Sequence, residues 1–189
     1  TFFFIQIIIK MKRFTLVCLI AIIGTTFLVS EAQAQKFSKL DKSPMDAISF
    51  PKRSRNKVAK VYYSRPQLKG RALSKLLKNG KVWRTGANQA TEITFYKDVK
   101  IGGQALKAGT YTLFTVPGEN EWELIINSSL HQWGAFQYKK KNDVLRAKGK
   151  VETGKKSIEA FSMAFDKNKT GVDLVMAWDK MIVRFAIEF

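Results

Sequence analysis

The chain has 189 residues and is strongly basic, with 33 Lys and Arg against 15 Asp and Glu and a net charge of +18 at pH 7. This length favours a single domain, large enough to bury a core without disulfides or metals. One Cys and one His exclude a disulfide framework and argue against a zinc site, so we predict no metal and no cofactor.

The first 34 residues have the pattern of a leader that is removed on export. Met11 is followed by two basic residues, residues 14–29 carry no charge, and residues 32–34 read Ala-Gln-Ala, the small-residue pattern of a cleavage site. We predict that residues 1–10 are an over-extended start and that residues 11–34 are a signal peptide. The uncharged stretch is shorter than the roughly 20 residues that a membrane-spanning helix needs, so we predict no transmembrane helix after cleavage.

Cleavage after Ala34 would leave a chain with a net charge of +16 and no Cys. Such a charge would attract an acidic partner, such as anionic lipid, an acidic polysaccharide or nucleic acid, or it would only keep the surface soluble. Lys outnumbers Arg and is spread along the chain, which favours the soluble surface, because Arg is preferred for bidentate phosphate binding. Export argues further against nucleic acid, so we predict no nucleic-acid partner and leave the oligomeric state open.

The predicted elements begin with a polar, basic lead-in arm over residues 35–56, with an edge strand near residues 47–50 as the alternative. Residues 58–63 form the first clear strand, because they are rich in β-branched and aromatic side chains. Residues 72–78 are the only helix candidate after the leader, since three leucines there share one helical face.

From Glu92 onward, apolar and polar residues alternate with the period of two that is typical of half-buried strands. Gly102-Gly103 and residues 117–120 are turn signals between strands. The residues predicted to share apolar faces are Trp122, Leu124 and Ile126; Phe161, Met163 and Phe165; Leu174, Met176 and Trp178; and Val183, Phe185, Ile187 and Phe189. Short strands without crossover helices predict an all-β fold, a single antiparallel β-sandwich over residues 57–189, with a jelly roll as one option and one short helix.

Two segments interrupt the alternation. Residues 80–91 are rich in Gly and polar side chains yet contain a Trp and an Arg, and residues 127–136 carry the only His next to another Trp. Both segments are longer than simple hairpin turns, so we predict that they line a ligand-binding cleft. The candidate ligand-binding residues are Trp83, Arg84, Asn88, Thr91, His131 and Trp133; no catalytic residue and no metal ligand is predicted.

Each candidate also has a structural alternative. The two Trp side chains would stack on a sugar ring or another flat ligand, or they would plug the ends of the core. Arg84 would hold an anionic group, or it would bond loop carbonyls or a nearby carboxylate. Asn88 and Thr91 would contact the ligand or tie their own loop together. His131 is the only acid–base candidate near neutral pH, and a hydrolase would need a nucleophile within its reach.

The string Lys81-Val82-Trp83-Arg84-Thr85-Gly86-Ala87-Asn88 resembles the domain-of-unknown-function 2911 family of exported Gram-negative bacterial proteins. Further strings that resemble it are residues 40–46, 63–66, 108–111, 115–118, 132–135 and 143–146, so the resemblance covers nearly all of the chain after the leader. It implies export to the periplasm or cell envelope and a small β-rich domain. It supplies no established activity and no catalytic residues.

The function predicted is therefore that of an exported, non-enzymatic protein that binds a small-molecule or polysaccharide ligand in the cleft. One alternative is an envelope hydrolase acting on carbohydrate or ester, which requires a nucleophile or a second carboxylate near His131 in three dimensions. The other alternative is a structural partner of another envelope protein, which an exposed apolar patch or an unpaired edge strand would favour.

Overall fold

The computed structural model describes residues 4–8, 10–11 and 35–189. The chain forms two compact units, Thr1–Lys39 and Leu40–Phe189. In the first unit, residues 4–8, 10 and 11 are helical and residues 35–39 have no regular structure. Residues 12–34 of the predicted signal peptide lie outside the described residues. Where the structure describes the chain, no helix is long and apolar enough to cross a membrane.

The second unit is built from strands and one short helix. The elements are β1 (Met45–Phe50), β2 (Ala59–Ser64), α1 (Leu73–Leu76), β3 (Thr91–Phe95), β4 (Val99–Ile101), β5 (Gln104–Leu106), β6 (Gly109–Val116), β7 (Glu121–Asn127), β8 (Asp143–Lys167) and β9 (Gly171–Glu188). A 3-10 turn, Lys140–Asn142, directly precedes β8. The helix predicted over residues 72–78 is confirmed, although α1 is shorter than that range.

Neighbouring strands are antiparallel throughout, in the order β1-β2-β3-β6-β7-β8-β9-β4-β5. The prediction of an all-β antiparallel fold is therefore confirmed. Consecutive strands pair along the chain except for the β4–β5 hairpin, which lies on the far side of β9. The result is a meander with one displaced hairpin, whereas the jelly-roll option would require two Greek keys.

β8 has 25 residues and links two layers of the sheet. Its first part, as far as Lys150, pairs with β7, and the part from Val151 onward pairs with β9. Next to this crossing point, a Cβ on Gly149 would lie 2.6 Å from Cε1 of Phe185. A residue without a side chain is needed where two strands approach so closely, so Gly149 allows β9 to pass over β8.

One main hydrophobic core takes side chains from both layers, from β2, β3, β6 and β7 on one side and from β4, β8 and β9 on the other. The inward faces predicted for β7 and β9 are confirmed, with at most 2% exposure at Trp122, Leu124, Ile126, Leu174, Met176, Trp178, Val183, Phe185 and Ile187. Burying one large apolar side chain contributes about 1.5–3 kcal/mol. Phe189 differs from the prediction and is 44% exposed, because it lies beyond the end of β9.

β1 is the edge strand that the sequence offered as an alternative to a lead-in arm, and it pairs only with β2. It begins at Met45, ahead of the domain boundary expected at residue 57. Arg65 connects β1 to β8, because its Nη1 donates to Asp46 Oδ2 over 3.1 Å and its Nε donates to the carbonyl oxygen of Phe161 over 3.1 Å.

Candidate functional site

The two segments that interrupt the alternation lie side by side. We call residues 80–90 loop A and residues 128–138 loop B. The N–H of Ala90 donates to the carbonyl oxygen of Gln132 over 2.8 Å, and the N–H of Gly134 donates to that of Asn88 over 3.0 Å. Gln89 and Trp133 form an isolated antiparallel bridge between these bonds. The two loops are therefore adjacent in the structure.

Loop A is fixed by backbone pairing and close packing. Trp83 and Thr115 of β6 exchange two backbone hydrogen bonds of 2.7 and 3.0 Å. Thr85 and Asn88 then adopt left-handed conformations, with φ of 55° and 58°. A Cβ on Gly86 would lie 2.9 Å from the carbonyl oxygen of Ser64, so Gly is required where the loop crosses the end of β2. Left-handed backbone in a buried β-branched residue is uncommon and persists only where the surroundings impose it.

A buried hydroxyl network imposes that conformation. The hydroxyl of Thr91 donates to the carbonyl oxygen of Thr85 over 2.6 Å, and the hydroxyls of Thr85 and Thr115 lie 3.1 Å apart. All three residues are fully buried. Thr91 was predicted as a ligand contact, but burial keeps its side chain from the surface, and it holds loop A in shape instead.

Trp83 packs against the core, which is the structural alternative given for it in the sequence analysis. Its indole stacks on Trp178, with ring centroids 6.0 Å apart and 14° between the planes. It also makes edge contacts with Trp122 at 6.0 Å and with Phe161 at 5.0 Å. Four aromatic rings thus meet at one end of the core, and Trp83 plugs that end.

Arg84 carries an unsatisfied guanidinium. Its Nε atom is buried and has no hydrogen-bond partner, and no ion pair or side-chain hydrogen bond of Arg84 is made with any of the described residues. Burial lowers the pKa of Arg84. The predicted structural roles, a carbonyl or carboxylate partner, are therefore not met in the structure. A buried guanidinium N–H without a hydrogen-bond partner costs free energy, and Arg84 Nε is such a group.

Asn88 links loop A to the start of the second unit. The pKa of Asp41 is held below its usual value first by the backbone N–H of Ser43 and then by the side-chain amide of Asn88. The left-handed conformation of Asn88 is one that Asn tolerates better than most residues. Its backbone and its side chain both serve packing between segments, so its structural alternative is the better supported one.

His131 lies on the solvent side of loop B, with its side chain 86% exposed. Its backbone N–H donates to Glu92 Oε1 over 2.8 Å, and its Nδ1 lies 3.5 Å from the same oxygen. The nearby hydroxyls have other partners, since Ser128 donates to the carbonyl oxygen of Asn142 and Ser129 accepts from the Asn142 amide. His131 therefore has a carboxylate neighbour, while the serine hydroxyls next to it in sequence are bonded elsewhere.

Trp133 and Phe136 are the aromatic residues that loop B presents to solvent, with 63% and 84% of their surface exposed. Between them Gly134 is left-handed, with φ of 68°, and a Cβ there would lie 2.7 Å from the ring of Phe136. The ring of Phe136 thus rests on the glycine, which fixes the turn. Two large apolar side chains held on one exposed turn are typical of a binding surface.

A cavity of about 510 Å³ lies beside this turn. It is lined by Ser129, Gln132, Phe136, Gln137, Lys139 and Asn142. Its size is within the range of small-ligand sites, roughly 300–1,000 Å³. The segment predicted from the sequence, residues 127–136, includes Ser129, Gln132 and Phe136, but none of the six lining residues is among the predicted ligand contacts. The only signal for them was their position next to Trp133, because side chains after a turn follow no fixed periodicity.

A polar network anchors loop B to the sheet. Tyr138 donates to Asp143 Oδ2 over 2.6 Å, and Arg146 donates to the same oxygen over 2.8 and 3.0 Å and to the Tyr138 hydroxyl over 2.6 Å. Arg146 also pairs with Glu123. Burial first, and then the hydrogen bond to Asp143, raise the pKa of Tyr138 to about 12. The network fixes the end of loop B and hence one wall of the cavity.

The site offers no recognisable metal centre. Within residues 4–8, 10–11 and 35–189, no group of three or more His, Cys, Asp or Glu side chains is placed to hold a metal ion. The polar groups of the cavity are amides, one hydroxyl and one ammonium group, which suit hydrogen bonding to an organic ligand.

These features define a small antiparallel β protein in which two neighbouring loops, A and B, interrupt the strand pattern. Residues 43–187 match a protein family described as protein of unknown function, DUF2911, and the chain belongs to that family. The resemblance noted in the sequence is thereby confirmed. No curated protein and no solved structure matches the chain.

Proposed function

We propose that this chain is an exported protein of the bacterial envelope that binds a carbohydrate or a similar small polar ring at loop B, without catalysing a reaction. The observation that carries the proposal is the pair of exposed aromatic side chains, Trp133 and Phe136, on one turn beside a polar cavity of about 510 Å³. The ligand would lie against an aromatic face and extend its polar groups into the cavity.

The chemistry of the cavity supports a sugar. Sugar rings combine an apolar C–H face, which stacks on aromatic side chains, with hydroxyls that need hydrogen-bond partners. Gln132 uses its Nε2 to bond the carbonyl oxygen of Leu130, while its amide oxygen and the whole amide of Gln137 have no partner among the described residues. These amide groups can therefore form hydrogen bonds with the hydroxyls of a sugar without breaking a hydrogen bond within the protein.

The test is binding of soluble polysaccharides and their oligosaccharides by Trp133→Ala and by a matched control. Tyr96 is also exposed, at 54%, and lies outside both loops, so Tyr96→Ala removes an exposed aromatic elsewhere. We expect the wild type and Tyr96→Ala to bind at least one polymer by titration calorimetry, and Trp133→Ala to bind it at least about tenfold more weakly. Binding that survives Trp133→Ala, or no binding to any polymer of the set, contradicts the proposal.

The proposed location rests on the leader pattern before Gln35 and on the likeness to an exported family. Expression of residues 11–189 in a Gram-negative host tests it. We expect periplasmic protein whose mass corresponds to a chain starting at Gln35. Uncleaved protein that stays in the cytoplasm would contradict this part of the proposal and leave the binding proposal standing.

The contact between His131 and Glu92 is the observation that favours the hydrolase alternative, because a general base is often oriented by a carboxylate. The same alternative lacks a nucleophile bonded to His131 among the described residues. The test is hydrolysis of nitrophenyl esters or glycosides by the wild type and by His131→Ala. If the wild type is active and a folded His131→Ala variant is not, the protein is a hydrolase and not a binding protein.

A further inference from the structure

The cavity at loop B carries positive charge that no acidic side chain offsets. Lys139 lines it, and Lys140 and Lys141 follow in the 3-10 turn. All three side chains are exposed, and none has an ion-pair partner among the described residues. No carboxylate is among the side chains that line the cavity. A concave site with charge of one sign raises the local concentration of ligands of the opposite sign.

The acidic residues on the adjoining elements are already engaged. Asp143 follows the 3-10 turn, but its side chain is only 8% exposed and accepts hydrogen bonds from Asn127, Tyr138 and Arg146. Glu92 faces His131 on the other side of loop B. Neither carboxylate is therefore available to neutralise the lysines.

The backbone of Lys139, which lines the cavity, is held in place by two hydrogen bonds. Its carbonyl oxygen accepts from the Asn127 amide over 3.2 Å and from the N–H of Asn142 over 3.0 Å. Asn127 is almost fully buried and also bonds Asp143, which fixes this corner against the sheet. The side chain of Lys139 therefore starts from a fixed point in the lining of the cavity.

We infer that the ligand of this site is an acidic polysaccharide whose sugars carry carboxylate groups. The inference rests on the proposed function, since it assigns the sugar ring to Trp133 and Phe136 and the carboxylates to the lysines. It also gives a role to the unpartnered amides of the cavity, because they would form hydrogen bonds with the sugar hydroxyls. The sequence favoured a solubilising charge, because Lys outnumbers Arg and is spread along the chain. The position of Lys139 in a cavity next to an aromatic turn is visible only in the structure.

Two polymers with one backbone test the inference. Polygalacturonate and its fully methyl-esterified form share a backbone and differ at the carboxyl group, which is an anion in the first and a neutral methyl ester in the second. We expect titration calorimetry to give at least about tenfold tighter binding of the acid form, weakening as NaCl rises from about 50 to about 200 mM, because salt screens exposed charges. Alginate serves as a second acidic polymer.

Two triple variants separate local charge from total charge. The site variant is Lys139→Gln with Lys140→Gln and Lys141→Gln, and the control variant is Lys150→Gln with Lys155→Gln and Lys156→Gln on β8. Each removes three exposed lysine charges. We expect the site variant to lose at least about tenfold in affinity for polygalacturonate and the control to lose less than about twofold.

The outcomes distinguish the two proposals. Equal binding of the acid and esterified polymers, equal losses in the two triple variants, or binding of neutral glycans alone overturns the acidic ligand, while dependence on Trp133 keeps the proposed function. If no polymer binds, or if Trp133→Ala binds as the wild type does, both proposals fall.

Discussion

The indole of Trp83 stacks on that of Trp178, with 6.0 Å between the ring centroids and 14° between the planes. Trp133, on the neighbouring loop, is instead 63% exposed. The two tryptophans that the sequence assigned to one cleft therefore have opposite roles. Trp83 packs against the core, whereas Trp133 projects into solvent.

Because the two tryptophans lie in different environments, replacing each by alanine should affect stability differently. Trp83→Ala removes a large aromatic from the core and should lower the free energy of unfolding by about 3 kcal/mol or more. Trp133→Ala should change it by no more than about 0.5 kcal/mol, because the side chain is mostly in water. Urea denaturation followed by circular dichroism measures both. Similar losses in the two variants would show that loop B depends on Trp133 for its stability.

The strand faces were predictable because alternation is a local signal. Leu174, Met176 and Trp178 are spaced two residues apart, which predicts that they share one face of β9, and all three are buried. Loop side chains have no such period. Whether Trp83 enters the core depends on its pairing with Thr115, a contact that is distant in sequence. The displaced β4–β5 hairpin is equally non-local, since its partner β9 lies at the other end of the domain.

Thr91 provides a second test, of the hydroxyl network that shapes loop A. Thr91→Val keeps the volume but removes the donor to the buried carbonyl oxygen of Thr85, which should cost about 1–3 kcal/mol. Thr94→Val is the control, because its hydroxyl bonds Thr110 at an exposed site and should cost much less. Thermal or urea denaturation compares the two. A Thr91→Val protein as stable as Thr94→Val would show that the network contributes little.

Arg65 provides a test of how the edge strand is held. Its guanidinium bonds Asp46 of β1 and, on β8, the Ser162 hydroxyl and the Phe161 carbonyl oxygen. Arg65→Lys cannot reproduce this fork, so β1 should open more readily, with amide exchange in β1 about tenfold faster. Arg71→Lys, which alters an arginine that bonds only nearby carbonyls, is the control. Unchanged exchange in β1 would assign its stability to β2 alone.

The stabilisation that Tyr138 provides should depend on pH in the alkaline range. Burial and Asp143 raise the pKa of Tyr138 to about 12, above its ordinary value of 10.0. Above pH 10 the unfolded chain loses this proton while the folded protein keeps it, so the contribution of Tyr138 is complete below pH 10 and is lost as the pH rises through 12. The stability advantage of the wild type over Tyr138→Phe should therefore shrink across this window.

Tyr96→Phe is the comparison for that measurement, since Tyr96 is 54% exposed and lies outside the network. It shows how removal of a tyrosine hydroxyl outside the network affects stability under the same conditions. A Tyr138→Phe difference that stays constant from pH 9 to 12 would mean that the hydroxyl of Tyr138 titrates in the folded protein as it does in the unfolded chain, and that the network does not retain its proton.

Gly134 connects the geometry of loop B to ligand binding. Gly134→Ala imposes a left-handed conformation on an L-residue, at about 1–2 kcal/mol, and places a Cβ 2.7 Å from the ring of Phe136, which must move. Gly103→Ala is a matched control, because Gly103 has φ of 77° but nothing within 4 Å of its Cβ. Both variants should lose similar stability, while only Gly134→Ala should weaken polysaccharide binding, because it displaces a wall of the cavity. If the two variants bind the polysaccharide equally well, Phe136 is not part of the binding surface, and Trp133 is left as the aromatic side chain that contacts the ligand.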